Sequence, residues 1–189
     1  AALFGFGPTS ALIGLGAKIG NKNSVTPMLR YRENGSWNWP KIDPVGDFYE
    51  VVGFNNLEQG TSFVVNIAFT AEPESLVNAS KFVSEKTGAQ IITIRAKASS
   101  MGNGAIPLPD DGKAFTAKLQ SIFHDLKSNY GAQAIHLFPC ASNAASIFIG
   151  QAYDVHHPDV IVYDFHGGTM VPRICLKSED HKCQVVAYQ

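Results

Sequence analysis

The chain contains 189 residues, carries a formal net charge of -1, and has 16% Asp, Glu, Lys and Arg, compared with about 25% in an average globular domain. A chain of this length buries roughly 70% of its unfolded surface and folds without disulfide bonds. The near-neutral charge provides no basic surface for long DNA or RNA, which argues against polymeric nucleic acid as a partner. No apolar run approaches the roughly 20 residues of a membrane helix, so we expect no membrane partner.

Cysteine usage indicates a reducing compartment. Cys140, Cys175 and Cys183 are odd in number and the sequence shows no signal peptide, so we expect a cytoplasmic protein. Cys175 and Cys183 with His181 form a partial metal site, but the spacing of the two cysteines does not match structural zinc sites. A solvated hairpin is the favoured interpretation of this segment, and we expect neither a metal nor a cofactor.

The chain begins with a predicted strand, helix and strand. Residues 3–6 have the composition of a short strand. A helix is predicted over 8–19, because Pro lies near its first position and Thr and Ser are available for capping. A turn at 21–24 then leads into a predicted strand at 25–31.

Hydrophobic periodicity and turn residues predict the remaining elements. Residues 73–86 show helical spacing between an initial Pro and a following Gly. A second helix covers 115–126 and ends before Gly131. The predicted strands are 47–53, 61–70, 90–95, 134–138 and 159–165. Because strands alternate with helices, we predict an α/β fold with mainly parallel sheets that helices cover on both faces.

Two segments of the chain resemble each other, residues 7–19 and residues 140–153, and each reads as a loop that leads into a helix. The alignment pairs Gly16 with Gly150, and a short apolar strand follows each copy. Such a duplication predicts two similar helix N-termini, whose free N–H groups and positive dipole ends favour anions. The pattern therefore predicts a small ligand with two or more phosphates.

The duplicated segments also resemble a known family. Residues 135–153 with 160–164 resemble the C-terminal half of a SAVED domain, and residues 7–16 with 29–32 and 37–39 are similar to its N-terminal half. The resemblance implies one sensing domain made of two pseudo-symmetric CARF-like Rossmannoid halves. These halves are predicted at residues 1–100 and 101–189.

The resemblance implies a cyclic oligonucleotide sensor of bacterial antiphage systems of the CBASS type, or of some CRISPR systems. In that family the sensor is fused to an effector such as an HNH or other nuclease, a TIR NADase or a Lon-like protease. The chain begins at Ala1 directly on the sensor and shows no phosphate loop, nucleophile elbow or zinc helix. We therefore expect an excised, non-enzymatic sensor whose N-terminal effector, an HNH-type or other DNA endonuclease, lies outside this chain. A cyclic di- or trinucleotide is expected to bind, and the resulting homo-oligomerisation to activate the effector allosterically.

The predicted pocket lies where the two similar loops meet, outside the carboxyl ends of the strands. Loop N–H groups and hydroxyls would contact phosphate or ribose, tryptophans would stack on bases, and arginines would neutralise phosphates. Asp164 and His166 are candidates to contact a base edge. The predicted ligand-binding residues are Gly7, Pro8, Thr9, Ser10, Arg32, Trp37, Trp39, Arg95, Cys140, Ser142, Asn143, Asp164 and His166.

Structural roles compete with these assignments. Loop hydroxyls at helix starts commonly serve only as caps, the two tryptophans can cover a sheet, and Arg95 can pair with a surface carboxylate. Turn formation at residues 167–168 also accounts for Asp164 and His166.

An enzyme is the alternative function. Cys140 lies between a strand and a helix, as a nucleophile does, and His136 or His166 could act as its base. A Rossmann-like hydrolase or a nucleotide-cofactor enzyme would follow from this arrangement. A free cysteine is more often a small buried hydrophobic residue, which favours the sensor.

Overall fold

A computed structural model describes residues 1–21, 24–31 and 33–188. Within them, the helices are α1 (Thr9–Ile19), α2 (Pro73–Thr87), α3 (Pro109–Tyr130) and α4 (Asn143–Gln151), with a short 3₁₀ turn at Phe54–Asn56. The strands are β1 (Ala2–Leu3), β2 (Thr26–Pro27), β3 (Tyr49–Val52), β4 (Ser62–Ala68), β5 (Gln90–Ala96), β6 (Ala134–Cys140), β7 (Asp159–His166), β8 (Thr169–Glu179) and β9 (Lys182–Ala187). The mixed α/β class is confirmed.

The main sheet is mixed, so the prediction of mainly parallel sheets was wrong. Its order is β3-β5-β4-β6-β7-β8-β9, with parallel pairing among β5, β4, β6 and β7 and antiparallel pairing at both margins. The physical reason lies in the connections, since a tight turn joins antiparallel neighbours whereas parallel strands need a crossover. Gly167 and Gly168 have positive φ of 58° and 86° and allow the β7–β8 turn. This sheet draws strands from both predicted halves, whose division and pseudo-symmetry stay predictions.

The predicted helices form, but α3 is longer than the predicted 115–126, since it begins at Pro109 and ends at Tyr130. Pro73 and Pro109 lie in the first turns of α2 and α3, where a missing N–H costs nothing. Gly88 and Gly131 follow the two helices with left-handed φ of 72° and 81°. The strand predicted at 25–31 is shorter, because its partner β1 ends at Leu3, whose carbonyl oxygen accepts the N–H of Met28 at 2.8 Å.

Helices cover both faces of the sheet. On one face, α1, α3 and α4 pack over a core that includes the buried residues Phe63, Phe115 and Phe148. On the other face, α2 covers a smaller cluster that includes Phe138. Full burial of one such side chain contributes roughly 1.5–3 kcal/mol, so these layers fix the sheet on which the loops are built.

The two similar segments contact each other directly through α1 and α4. A Cβ atom added to Gly16 would lie 2.2 Å from the Ile147 carbonyl oxygen, and one added to Gly150 would lie 2.0 Å from the Ile13 carbonyl oxygen. Only glycine allows two helix backbones to approach this closely. This reciprocal contact holds the loops that precede the two helices at one edge of the sheet.

Candidate ligand-binding site

The carboxyl ends of β4 and β6 are joined at Cys140. Its carbonyl oxygen accepts backbone hydrogen bonds from Phe69 at 2.9 Å and Thr70 at 3.0 Å. The Thr70 hydroxyl also donates to the Cys140 sulfur at 3.4 Å. Gly102 donates its N–H to the Phe69 carbonyl at 2.8 Å, so the loop after β5 reaches the same edge. Cys140 therefore holds the ends of β4 and β6 together at the edge where the candidate site lies.

A side-chain amide joins the two loops of the duplicated segments. Asn143, the first residue of α4, donates its Nδ2 hydrogen to the Gly5 carbonyl oxygen at 3.2 Å. Within the described residues, a Cβ added to Gly7 would meet no atom within 4 Å. The space beside the Gly7 backbone is therefore open, while its contact with a ligand stays a prediction.

A carboxylate caps the N-terminus of α1. The backbone N–H and the hydroxyl of Ser10 donate to Asp164 Oδ2 at 3.1 and 2.9 Å. The residue at the N-cap position is Pro8, which makes no side-chain cap. Asp164 Oδ1 also accepts the backbone N–H of Phe165 at 3.0 Å. The structure thus brings together two predicted residues and ties the β7–β8 turn to α1 through the dipole-favoured anion position.

The second helix is capped locally. Ser142 Oγ accepts the backbone N–H of Ala145 at 3.3 Å and the residue is 5% exposed. A buried hydroxyl in this geometry satisfies one free donor of the helix. Ser142 therefore has the structural role that its position at a helix start allows.

Sequence reasoning missed Arg30, which lies between two aromatic rings. Its guanidinium carbon is 4.9 Å from the centroid of Phe6 and 5.9 Å from that of Trp37. Arg30 and Trp37 also form an antiparallel bridge. Arg30 lines a cavity of about 80 Å³. We call this cavity the Arg30 niche; its lining residues are Phe6, Arg30, Asn103 and Asn143.

The two tryptophans have different surroundings. Trp37 meets Phe4 edge to face, with the ring centroids 5.5 Å apart. Trp39 donates its indole N–H to the Pro27 carbonyl oxygen at 3.1 Å and packs 6.4 Å from the ring of Phe148 in the core. Trp39 therefore supports the structure, whereas Trp37 lies beside the Arg30 niche.

The Arg95 side chain does not lie at this edge. Arg95 pairs with Glu50 at 2.5 Å and lines a groove of about 290 Å³ beside Pro73 and Val77 of α2, on the other face of the sheet. Lys97 pairs with Asp47. Arg32 lies outside the described residues. The surface pairing considered for Arg95 is thus the one observed.

The contacts of Cys140 do not include the predicted bases. Among the described residues, its side chain bonds with Thr70, while the His136 ring lies 3.1 Å from the Tyr163 hydroxyl. Burial lowers the pKa of His136, because desolvation penalises the charged imidazole. His166 lies at the exposed end of β7. Cys140 is therefore paired with neither predicted base in the described part of the chain.

Within residues 1–21, 24–31 and 33–188, no group of three or more His, Cys, Asp or Glu side chains could hold a metal ion. No helix among them combines the length and apolar character needed to cross a membrane. A larger groove of about 470 Å³ lies along α3, and its lining includes Lys113, Thr116 and Gln151.

The chain belongs to a family of sensor domains. Residues 1–176 match the sequence model of SAVED, described as the SMODS-associated and fused to various effectors sensor domain. The match covers most of the chain, so this protein is a member of the SAVED family. No curated protein matches it.

Solved structures share the fold. The Acinetobacter baumannii Cap4 SAVED/CARF-domain containing receptor with the cyclic trinucleotide 2′3′3′-cAAA is similar at a TM-score of 0.67 and 17% identity, over 90% of this chain and 37% of that chain. The same receptor with 3′3′3′-cAAA matches at 0.67 and 18% identity, with coverages of 90% and 37%. The Moraxella osloensis Cap4 receptor matches at 0.59 and 17%, with coverages of 90% and 35%. The chain thus spans about a third of the length of these receptors.

Proposed function

We propose that this chain binds a cyclic di- or trinucleotide at the edge formed by loops 5–10 and 141–143. The proposal rests on one observation: these loops, the Asp164 carboxylate and the Arg30 niche lie together outside the carboxyl ends of β4 and β6. Ligands of open α/β sheets bind in this place. Membership of a sensor family and the trinucleotides named with the similar Cap4 receptors support the same conclusion.

Some of the predicted binding residues are proposed here as ligand contacts, and the others are assigned structural roles. The open backbone at Gly7 lets N–H groups of the first loop approach a phosphodiester, and Trp37 offers a flat face to a base. Arg32 remains a predicted contact. The other predicted contacts near this edge are Pro8, Thr9, Ser10, Cys140, Asn143 and His166, whereas Asp164 acts here as the cap that the ligand replaces. We assign structural roles to Trp39, which packs on Phe148, and to Ser142, which caps α4. Arg95 is assigned to a surface ion pair because its side chain meets Glu50 away from this edge, beside α2.

Binding would be coupled to the rest of the protein through Asp164. A phosphate that reaches the α1 N-terminus competes with this carboxylate for the donors of Ser10. Displacement of Asp164 would release the β7–β8 turn, and a ligand that favours the released form shifts the population toward it. We propose that this shift drives head-to-tail oligomerisation and activates a fused effector, an endonuclease in a CBASS-type antiphage system.

A thermal-shift panel tests the binding proposal. Cyclic di-, tri- and tetranucleotides, including 2′3′3′-cAAA and 3′3′3′-cAAA, are compared with linear dinucleotides and NAD. A cyclic ligand at 100 times its Kd stabilises the chain by about 2.7 kcal/mol, and we expect this for a cyclic di- or trinucleotide only. Stabilisation by NAD alone would favour a cofactor enzyme, and no stabilisation by any cyclic member would refute the proposal.

Light scattering on the longest protein that contains this chain tests the oligomerisation step. We expect the mass to increase when the stabilising cyclic nucleotide is added. An unchanged mass at saturating ligand would refute oligomerisation and leave the binding proposal intact.

A further inference from the structure

We propose that Arg30 binds one phosphodiester group of the ligand in the Arg30 niche, and that the adjacent base stacks on Phe6. This inference rests on the proposed function and names the chemical group that each side chain recognises. It adds two residues to the site, neither of which the sequence reasoning selected.

Arg30 is held in position before any ligand arrives. Its guanidinium lies over Phe6 and near Trp37, and its backbone bridges to Trp37. The Arg30 carbonyl oxygen also accepts the Asn103 Nδ2 hydrogen at 2.8 Å. A side chain that is ordered in advance loses less entropy on binding.

No carboxylate forms an ion pair with Arg30 within residues 1–21, 24–31 and 33–188. Arg95 and Lys97, by contrast, are neutralised by Glu50 and Asp47. The aromatic rings attract the positive charge. They do not take the place of the oxygen acceptors that the five N–H groups of an arginine can bind. The guanidinium fork therefore retains donors that match two phosphate oxygens.

The two asparagines complete a set of donors. Asn103 and Asn143 each use one N–H on a backbone carbonyl, of Arg30 and Gly5 respectively. These bonds orient the amides and leave each amide a second N–H. A guanidinium flanked by amide donors favours an anion over a cation.

The volume of the niche limits which part of the ligand can enter it. Its volume of about 80 Å³ is a fraction of the roughly 300–1,000 Å³ of pockets that enclose a whole small molecule. It therefore fits one phosphodiester group, with the attached nucleoside outside. Phe6 borders the niche and remains 74% exposed, so its ring offers the nearest surface for that base.

Calorimetric titration with 3′3′3′-cAAA, or with the panel member that the wild type binds, tests this role. We expect Arg30→Gln to weaken binding by about 10- to 100-fold, because a charge-assisted hydrogen bond is lost. Arg30→Lys keeps the charge without the planar fork and is expected to lose less. Arg173→Gln removes the same charge from an exposed position on β8 and is the matched control, with affinity expected within twofold of wild type.

Salt dependence separates phosphate binding from a structural role. We expect the affinity of Arg30→Gln to fall less steeply with added salt than that of wild type or Arg173→Gln, because one phosphate contact is missing. Phe6→Leu keeps apolar contact with Arg30, and we expect it to weaken binding by about 5- to 100-fold through lost stacking.

The outcomes distinguish this inference from the proposed function. If the wild type binds no cyclic nucleotide, the proposed function fails. If the wild type binds and both Arg30 variants retain its affinity and salt dependence, the phosphate role of Arg30 is overturned while the proposed function stands. If Arg30→Gln does not fold, Arg30→Lys decides the matter: weaker binding supports the role and unchanged binding overturns it.

Discussion

Helices α1 and α4 begin with similar sequence and pack against each other, yet their N-termini are capped in different ways. The cap of α4 is local and neutral, since Ser142 accepts the N–H of Ala145. The cap of α1 is remote and charged, since Asp164 comes from the end of β7. A neutral local cap serves one helix, whereas a carboxylate at a site that favours anions can be exchanged for a phosphate. This difference is the reason for proposing that a ligand acts at α1 and not at α4.

The largest expected effect comes from separating the two helices. Gly150→Ala places a Cβ 2.0 Å from the Ile13 carbonyl oxygen, and backbone on both sides leaves little room to adjust. We expect a loss of about 3 kcal/mol or more in the free energy of unfolding, measured by urea denaturation. Gly104→Ala is the control, because no described atom lies within 4 Å of its added Cβ. Equal stability of the two variants would contradict the close contact.

Next in size is the contrast between the two tryptophans. Trp39→Ala removes packing against Phe148 of α4, and we expect a loss of about 2–3 kcal/mol in unfolding free energy. Trp37→Ala should instead weaken ligand affinity by about 1–2 kcal/mol with a smaller loss of stability. Denaturation and calorimetry of both variants check this pattern. The reverse pattern would reassign the base-stacking surface.

Asp164→Asn tests the exchangeable cap. The variant retains an acceptor for Ser10 but loses the charge that complements the dipole of α1, so we expect a loss of about 1 kcal/mol in unfolding free energy. Ligand affinity should increase, because the phosphate no longer competes with a carboxylate. Weaker binding would mean that Asp164 contacts the ligand itself, as the sequence-based assignment to a base edge has it.

The smallest effect is expected at the local cap. Ser142→Ala should reduce the free energy of unfolding by about 1 kcal/mol and leave ligand affinity unchanged, because the hydroxyl is buried and already accepts a hydrogen bond. Ser142→Thr keeps the acceptor and serves as the control. A selective loss of affinity in Ser142→Ala would return this residue to the ligand site.

Periodicity and turn residues were sufficient to predict that the helices exist and where α2 begins and ends, because Pro73 and Gly88 limit it by local chemistry. The start of α3 at Pro109 was missed. The mixed sheet was not predicted, although Gly167 and Gly168 already indicated a turn after β7. Two strands joined by such a turn pair antiparallel, whatever the pattern of the preceding units.

The sequence located only those parts of the candidate site that directly follow a predicted strand. The two similar loops were found in this way, since their place after predicted strands locates them. Arg30 was missed because its surroundings come from Phe6 and Asn103, which are distant in sequence. The contact of Ser10 with Asp164 likewise joins residues 154 apart, and no local pattern specifies it.

A crystal structure of the chain with the cyclic nucleotide selected by the thermal-shift panel tests the central claim most directly. We predict that the ligand lies against loops 5–10 and 141–143, with one phosphodiester within hydrogen-bond distance of Arg30. A ligand bound along α3, or in the groove beside Arg95 and α2, would contradict this assignment of the binding site.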